Sequence, residues 1–275
     1  MTDYFEVHGR DGPARAGELR LADPLATPAL VDDSVEDAGS LWSEDREVPR
    51  GYRALLTVLP HRAFPAGTDD AVQEAFAVDY PDVDYPSAAV VTSDTAADHG
   101  ADAYVLSDAP GFVGHAATFR EGIIAAREAL PPDAALYLSG VATPRNAATL
   151  AYAGVDLLDA KRARARGLQG FYLTHEAERF LADLTELPCS CPACRGKRTV
   201  ADVDPDADGE AAAAVREDPA VFDRADCADH NEHALRSELA TVRRRIREGR
   251  LRDYVEGQAR HDQWLTAAFR EFDDE

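Results

Sequence analysis

The chain has 275 residues, 51 of them acidic against 29 basic, a net charge of −22, and its only lysines are Lys161 and Lys197. That length can bury a core for one large domain, or for one domain with an appendage. It excludes a membrane protein of the helical kind, because no apolar run approaches the ~18 residues of a span, and MTDYFEVHGRDG lacks the basic start and apolar middle of a signal peptide.

A cytoplasmic protein is expected, and the Lys-poor, Asp-rich composition predicts a salt-in halophile. At molar salt the Debye length falls to ~3 Å. Global charge then excludes little about partners, and local basic clusters carry more information.

In chain order, Phe5 to Leu21 alternates apolar and polar residues around a Gly-rich turn, which predicts an N-terminal hairpin. Residues 32 to 50 are acidic and aperiodic and read as surface loop. Short apolar runs follow at 54–60, 88–93, 103–108 and 135–141, separated by helix-like stretches such as AVQEAFAV and TFREGIIAAREAL. Strands alternating with helices predict an α/β fold with a parallel sheet or a (β/α) barrel. NAATLAYAGVDLLDA then gives a short helix, a stop at Gly154 and a buried strand ending at Asp159. In such folds the chemistry sits at the carboxyl ends of strands; the plain alternative for Asp159 is a strand-end carboxylate that pairs with nearby arginines.

Three of the four cysteines fall within CSCPAC, at Cys189, Cys191 and Cys194. In a reducing compartment such a cluster points to metal or redox chemistry before structural disulfides. Thiolates are soft ligands, and Zn²⁺ takes four donors in a tetrahedron. The loop supplies three, and the candidates for the fourth are Cys227, His230 and His233 in CADHNEH. Merely buried thiols or a redox pair are the alternative, but C-x-C-x-x-C followed by C-x-x-H favours a metal. A site closed by three sulfurs and one nitrogen leaves no position for substrate, so such an ion is structural.

The stretch VADVDPDADGEAAAAVREDPAVFD reads as a salt-adapted insertion without a site of its own. From Glu232 onward, Leu235, Leu239, Val242 and Ile246 have helical spacing, with Gly249 as the cap. Eight arginines, Arg236, Arg243, Arg244, Arg245, Arg247, Arg250, Arg252 and Arg260, lie within 25 residues. Such a face either grips phosphates or is a solvated surface whose arginines pair with acids such as Glu238 and Glu248.

Taken together, CSCPAC with His230 and Asn231, ALYLSGVATP, GVDLLDAKRARARG and YLT resemble, in the same order, motifs of the tRNA-guanine transglycosylase superfamily and its archaeosine branch. FEV..DG.ARAGEL....ATPAL resembles the family's opening strands. The resemblance implies a transglycosylase-type (β/α) barrel, shortened here, over 1–180, with a zinc-binding subdomain and C-terminal helices over 181–275. It implies zinc on Cys189, Cys191, Cys194 and His230, and Asp159 in the position of the nucleophile that attacks ribose C1′ during base exchange, a role suited to an ionised carboxylate. It also shifts the arginines toward tRNA backbone contact, with Arg162, Arg164 and Arg166 joining Arg243, Arg244 and Arg247.

The departures are equally specific. The family's second carboxylate lies in a phrase like DSGGFQ, which has no counterpart here; Asp108 in LSDAPGFVGH is the nearest look-alike, at a strand end where the family has GGL.VGE. Two arginines of the family's basic run fall on Ala165 and Leu168. In these losses the chain resembles the amino-terminal, transglycosylase-like domain of archaeosine synthase. That enzyme acts after base exchange, on the 7-cyano-7-deazaguanine already at position 15 of tRNA, through a downstream PC-x-x-x-KPY region and a PUA module that are not in this sequence. The resemblance therefore implies tRNA as partner. It further implies either a docking subunit beside a separate catalytic subunit, with a homodimer as another arrangement, or an active transglycosylase.

Overall fold

The computed structural model describes residues 4–96, 99–204 and 218–272. Most of the acidic Ala-rich stretch, 205–217, lies outside the described residues. The chain groups into two compact units: Met1–Val141, Ala148–Asp159 and Leu239–Glu275 form the first, Ala142–Ala147 and Ala160–Glu238 the second.

In the first unit the expected hairpin is β1 (Phe5–Asp11) against β2 (Ala14–Leu19), with β3 (Leu25–Thr27) on the free edge of β2. Then come β4 (Ala29–Leu30), β5 (Val35–Asp37), β6 (Leu56–Val58), β7 (Ser87–Val91), β8 (Ala103–Leu106), β9 (Ala135–Leu138) and β10 (Leu157–Leu158). These seven make one sheet in the order β4-β10-β9-β8-β7-β6-β5, and every neighbouring pair is parallel.

The strand order forces curvature. β4 and β5 occupy opposite edges of the sheet, and a flat sheet would hold edges six spacings apart at about 29 Å. The five Cα steps from Leu30 to Val35 reach at most about 19 Å. The sheet therefore curls, as the (β/α) barrel expectation requires.

The helices between these strands are α1 (Asp70–Ala75), which buries no residue, α2 (Ala116–Phe119), which continues through the π turn Arg120–Ile124 into α3 (Ala125–Ala129), and α4 (Ala147–Tyr152). Alternate strand residues fill the concave side: Leu56 and Val58, Ala88 and Val90, Ala103 and Val105, Ala135 and Tyr137, and Leu157, with Phe5, Leu19 and Leu21 from the hairpin region packed among them. The other set, including Ala89, Val91, Tyr104, Leu106, Leu136 and Leu158, is buried too. Burial on both faces is why these strands read as unbroken apolar runs.

The stretch 32–50 departs from the loop expectation, because Val35–Asp37 pair with β6 as an edge strand. Val35 packs against the interior cluster, and that long-range packing overrides an acidic local sequence.

An ion pair ties the hairpin to the sheet. Arg15 and Asp156 are 2% and 0% exposed. Arg15 Nε donates to Asp156 Oδ1 at 3.1 Å, and its Nη atoms donate to Asp156 Oδ2 and to the carbonyls of Pro132 and Ala134. Asp156 Oδ2 also accepts the Leu136 N–H at 2.8 Å. The first Asp of GVDLLD is thus a structural group.

The second unit contains α5 (Lys161–Leu168), the hairpin β11 (Phe171–Leu173) and β12 (Glu178–Phe180), α6 (Val200–Val203), and the first part of α7 (Arg224–Arg247). α7 begins eight residues before the expected Glu232. Asp223 Oδ1 accepts the Asp226 N–H and Asp226 Oδ2 accepts the Asp223 N–H, a reciprocal cap that starts the helix there. Gly167 lets α5 approach closely, since a Cβ there would stand 2.4 Å from the Ala228 backbone.

The later part of α7 belongs to the first unit, as do α8 (Leu251–Ala259) and α9 (Gln263–Arg270). Gly249 takes φ +64° between α7 and α8, as its capping role predicts. Val242, Ile246, Leu251, Val255, Leu265 and Phe269 pack with Ala148, Ala151 and Tyr152 into a second core. Among the described residues no helix is long and apolar enough to cross a membrane.

Candidate functional site

In the second unit Cys189, Cys191, Cys194 and His230 converge, with their ligand atoms all within 4.8 Å of one another. The cysteines lie on a tight loop in which the Cys191 N–H points at Cys189 Sγ at 3.4 Å and the Cys191 carbonyl accepts the N–H groups of Cys194 and Arg195. Gly196, at φ +74°, turns the chain out of the loop.

His230 comes from the second turn of α7. Its Nε2 stands 3.0 Å from the Leu173 carbonyl, and a carbonyl can only accept, so Nε2 carries the proton. Nδ1 then presents a lone pair, 3.6 Å from Cys191 Sγ and 3.4 Å from Cys194 Sγ. Tyr172 stacks on the imidazole with centroids 3.8 Å apart. Burial lowers the His230 pKa to about 4 and raises those of the Cys189 and Cys194 thiols. The imidazole is therefore neutral and ready to ligate, and an ion entering such a group displaces thiol protons.

The support for His230 could not be read from spacing. Asn231, fully buried, accepts the Leu173 N–H and donates to the carbonyls of Ala163 and Phe171. It fixes β11, whose Leu173 carbonyl orients the histidine, as outer partners do at metal sites. Cys227 is buried in the adjacent core with Tyr172, Leu181 and Phe222 and is not part of the group; burial pushes its thiol up to about 12. His233 is likewise outside the group.

In the first unit the parallel strands deliver their carboxyl ends to one side. Asp159 directly follows β10 and is 4% exposed. Its Oδ2 accepts from Tyr137 Oη at 3.1 Å and Ser139 Oγ at 2.7 Å, and its Oδ1 accepts the Gly140 N–H at 3.0 Å. Burial, with Asp159 adding to it, raises the Tyr137 pKa, so the phenol remains a donor. Tyr137 and Ser139, two residues apart in ALYLSG, could have been anticipated together from period-2 alternation; the Gly140 N–H could not.

Asp108 lies beyond β8 and is 3% exposed. Oδ2 accepts from Ser93 N–H at 2.9 Å and Ser93 Oγ at 2.8 Å, and Oδ1 has no hydrogen-bond partner. Burial raises its pKa.

The arginines divide. Arg164 pairs with Asp229 and Glu232 at 2.8 and 2.7 Å. Arg166 pairs with Glu178 and lies 3.5 Å over the Phe171 ring. Arg243 donates to the Pro28 carbonyl. Arg162, Arg244 and Arg247 are exposed.

Residues 91–263 match the family model described as queuine tRNA-ribosyltransferase. Archaeosine synthase of Haloferax volcanii is 64% identical over 273 residues, 99% of this chain and 43% of that protein. Archaeosine synthase subunit alpha of Methanosarcina acetivorans is 34% identical over 299 residues, 98% of this chain and 45% of that protein. A tRNA-guanine(15) transglycosylase of Haloferax volcanii is 30% identical over 150 residues, 54% of this chain and 27% of that protein. This chain thus spans less than half the length of the two synthase relatives. The family match covers well over half of the chain and runs from the end of β7 through the cysteine loop to α9: the chain belongs to the queuine tRNA-ribosyltransferase family, in its archaeosine branch.

Proposed function

We propose that this chain is the transglycosylase-like, tRNA-docking part of an archaeosine synthase, acting in the modification of position 15 of tRNA, with little or no base exchange of its own. The observation that carries this reading is the difference in coverage: nearly the whole chain aligns with archaeosine synthases, but only 54% of it with the transglycosylase. The name of the Methanosarcina relative, a subunit alpha, supports a separate partner subunit.

The metal of the second unit is zinc, held by Cys189, Cys191, Cys194 and His230. Zn–S near 2.3 Å and Zn–N near 2.0–2.1 Å at tetrahedral angles put sulfur and nitrogen about 3.6 Å apart, close to the 3.4 and 3.6 Å separations. Four protein donors complete the tetrahedron, so the ion holds the loop to α7 and takes no substrate.

The position of Asp159 at a strand's carboxyl end favours a second reading, an active transglycosylase with Asp159 as nucleophile. In that reaction an Asp159 oxygen bonds ribose C1′ as the glycosidic bond breaks, and the base leaves with the bonding electron pair and takes its proton from solvent water. Three donors already hold both carboxylate oxygens, which lowers their nucleophilicity, and a nucleophile without an acid–base partner gains only part of the catalysis. Incubating the chain with tRNA and labelled guanine or 7-cyano-7-deazaguanine is expected to give no, or very slow, exchange and no protein–tRNA adduct in denaturing gels. A robust adduct that disappears in Asp159→Ala would overturn the docking reading.

We assign backbone contact to the exposed arginines Arg162, Arg244 and Arg247, with Arg164, Arg166 and Arg243 contributing once released from their present partners. Replacing Arg244 and Arg247 together by Glu is expected to weaken tRNA binding at least tenfold and to lower the slope of log K against log salt by roughly 2, about 0.9 for each phosphate no longer neutralised. Filter binding across a salt series checks this; an unchanged affinity returns both side chains to a solvated face.

A further inference from the structure

Tyr172, in the middle of β11, is 1% exposed, and its ring lies over His230 with the two planes 10° apart. Asn231 brackets it: the side chain that accepts the Leu173 N–H also donates to the Phe171 carbonyl, so both chain neighbours of Tyr172 are pinned. The phenol is thereby aimed with little freedom, and its Oη stands 3.9 Å from Cys194 Sγ. Among the described residues the hydroxyl has no other hydrogen-bond partner.

A buried phenol ordinarily finds a good partner, and a neutral thiol is a weak one. A thiolate is a strong one, because hydrogen bonds to an ionised acceptor are roughly twice as strong as those between neutral groups. A cysteine that ligates a metal is a thiolate. Cys194 can then only accept, which leaves the Tyr172 O–H as the donor.

Charge makes the same demand. Three thiolates, Zn²⁺ and a neutral imidazole sum to one net negative charge, set among Leu181, Leu184 and Phe222. A buried charge is costly unless hydrogen bonds answer it. The cations of the loop are turned elsewhere: Arg195 donates to the Ser190 carbonyl, and Lys197 pairs with Asp226. At Cys189 the Cys191 N–H answers the sulfur, at 3.4 Å. We propose that Tyr172 is the corresponding donor to Cys194, an outer partner of the zinc that draws charge from the thiolate and so sets the strength of the metal–sulfur bond. The inference rests on the zinc reading and adds to it a residue outside the four ligands.

The test replaces the metal of the full chain by Co²⁺, whose thiolate-to-metal charge-transfer band reports the electron density on sulfur. Tyr172→Phe keeps the ring and its stack on His230 and removes only the hydroxyl. It is expected to move the band to lower energy, since a thiolate without its donor gives up an electron more readily. It should also weaken zinc in a chelator competition about tenfold, as the loss of an outer partner does. Fluorotyrosine incorporated in place of Tyr172, a stronger donor of nearly the same size, is expected to move the band to higher energy. Phe222→Leu loosens the same cluster and removes no donor, so it should lower the melting temperature and leave the band in place.

A band unmoved by Tyr172→Phe, or moved equally by Phe222→Leu, would show that the tyrosine only packs, and the zinc reading would stand without it. Should Tyr172→Phe fail to fold, the fluorotyrosine protein decides alone: a shift to higher energy supports the donor, and no shift overturns it. A wild-type chain that takes up neither zinc nor cobalt removes the zinc reading and this inference together.

Discussion

His230→Ala is expected to release the metal and to unfold the second unit while leaving the first unit folded. The apolar core around the cysteines is small: Tyr172, Leu181, Leu184 and Phe222, with the cysteines themselves among its members. A core of that size does not hold a unit of this length without a staple. Structural zinc supplies an apparent ~10–16 kcal/mol in small zinc-finger domains, so losing a ligand removes more stability than a typical single substitution. Elemental analysis should find one zinc per wild-type chain and essentially none in the variant. Limited proteolysis should cut first within 160–238.

Cys227→Ser is the paired control. Its thiol is fully buried outside the metal group, so the change buries a hydroxyl at a cost of about 1–3 kcal/mol while the metal stays. Zinc kept by His230→Ala and lost by Cys227→Ser would transfer the fourth ligand to Cys227.

The second large effect is expected in the first unit. Asp156→Ala should lower stability by about 3–5 kcal/mol, because it leaves the Arg15 guanidinium buried without its counter-charge. The Leu136 N–H loses its acceptor in the same step. For a chain of this size that corresponds to a fall in melting temperature on the order of 10 °C. Metal content should not change, which separates this failure from loss of zinc. The double replacement Arg15→Met with Asp156→Leu should recover most of the stability, since removing both charges removes the desolvation cost as well. A melting temperature for Asp156→Ala within a degree or so of wild type would show that the pair is not carrying the hairpin.

The two aspartates of GVDLLD illustrate how the sequence divides from the fold. They sit three residues apart at the two ends of one short strand. Asp156 faces Arg15 from the hairpin, and Asp159 faces Tyr137, Ser139 and Gly140 from β9 and the turn after it. Nothing within the six letters distinguishes a structural carboxylate from one poised at the carboxyl side of the sheet. The partners decide, and they come from 141 and about 20 residues away in the chain.

What the sequence determined by itself is whatever depends on neighbours a few residues apart. Apolar runs separated by helical stretches were sufficient for a parallel α/β sheet, because strands buried on both faces must be continuously apolar. CSCPAC was sufficient for a metal-type loop, because three soft donors in six residues have few other uses. The spacing of Val242 and Ile246 and the position of Gly249 were sufficient for the end of α7.

Tertiary structure alone decided the rest. Val35–Asp37 became a strand because β6 offered an unpaired edge, and the sheet curls because four residues must join its two edges. Cys227 and His230 are three residues apart on one helix and so share a face, which means that spacing cannot choose between them. The Leu173 carbonyl chooses, by accepting a hydrogen bond from the Nε2–H and so turning Nδ1 toward the sulfurs. Arg164 and Arg166, which the family resemblance assigns to tRNA backbone contact, are held by Asp229, Glu232 and Glu178, acids brought beside them only when the chain folds.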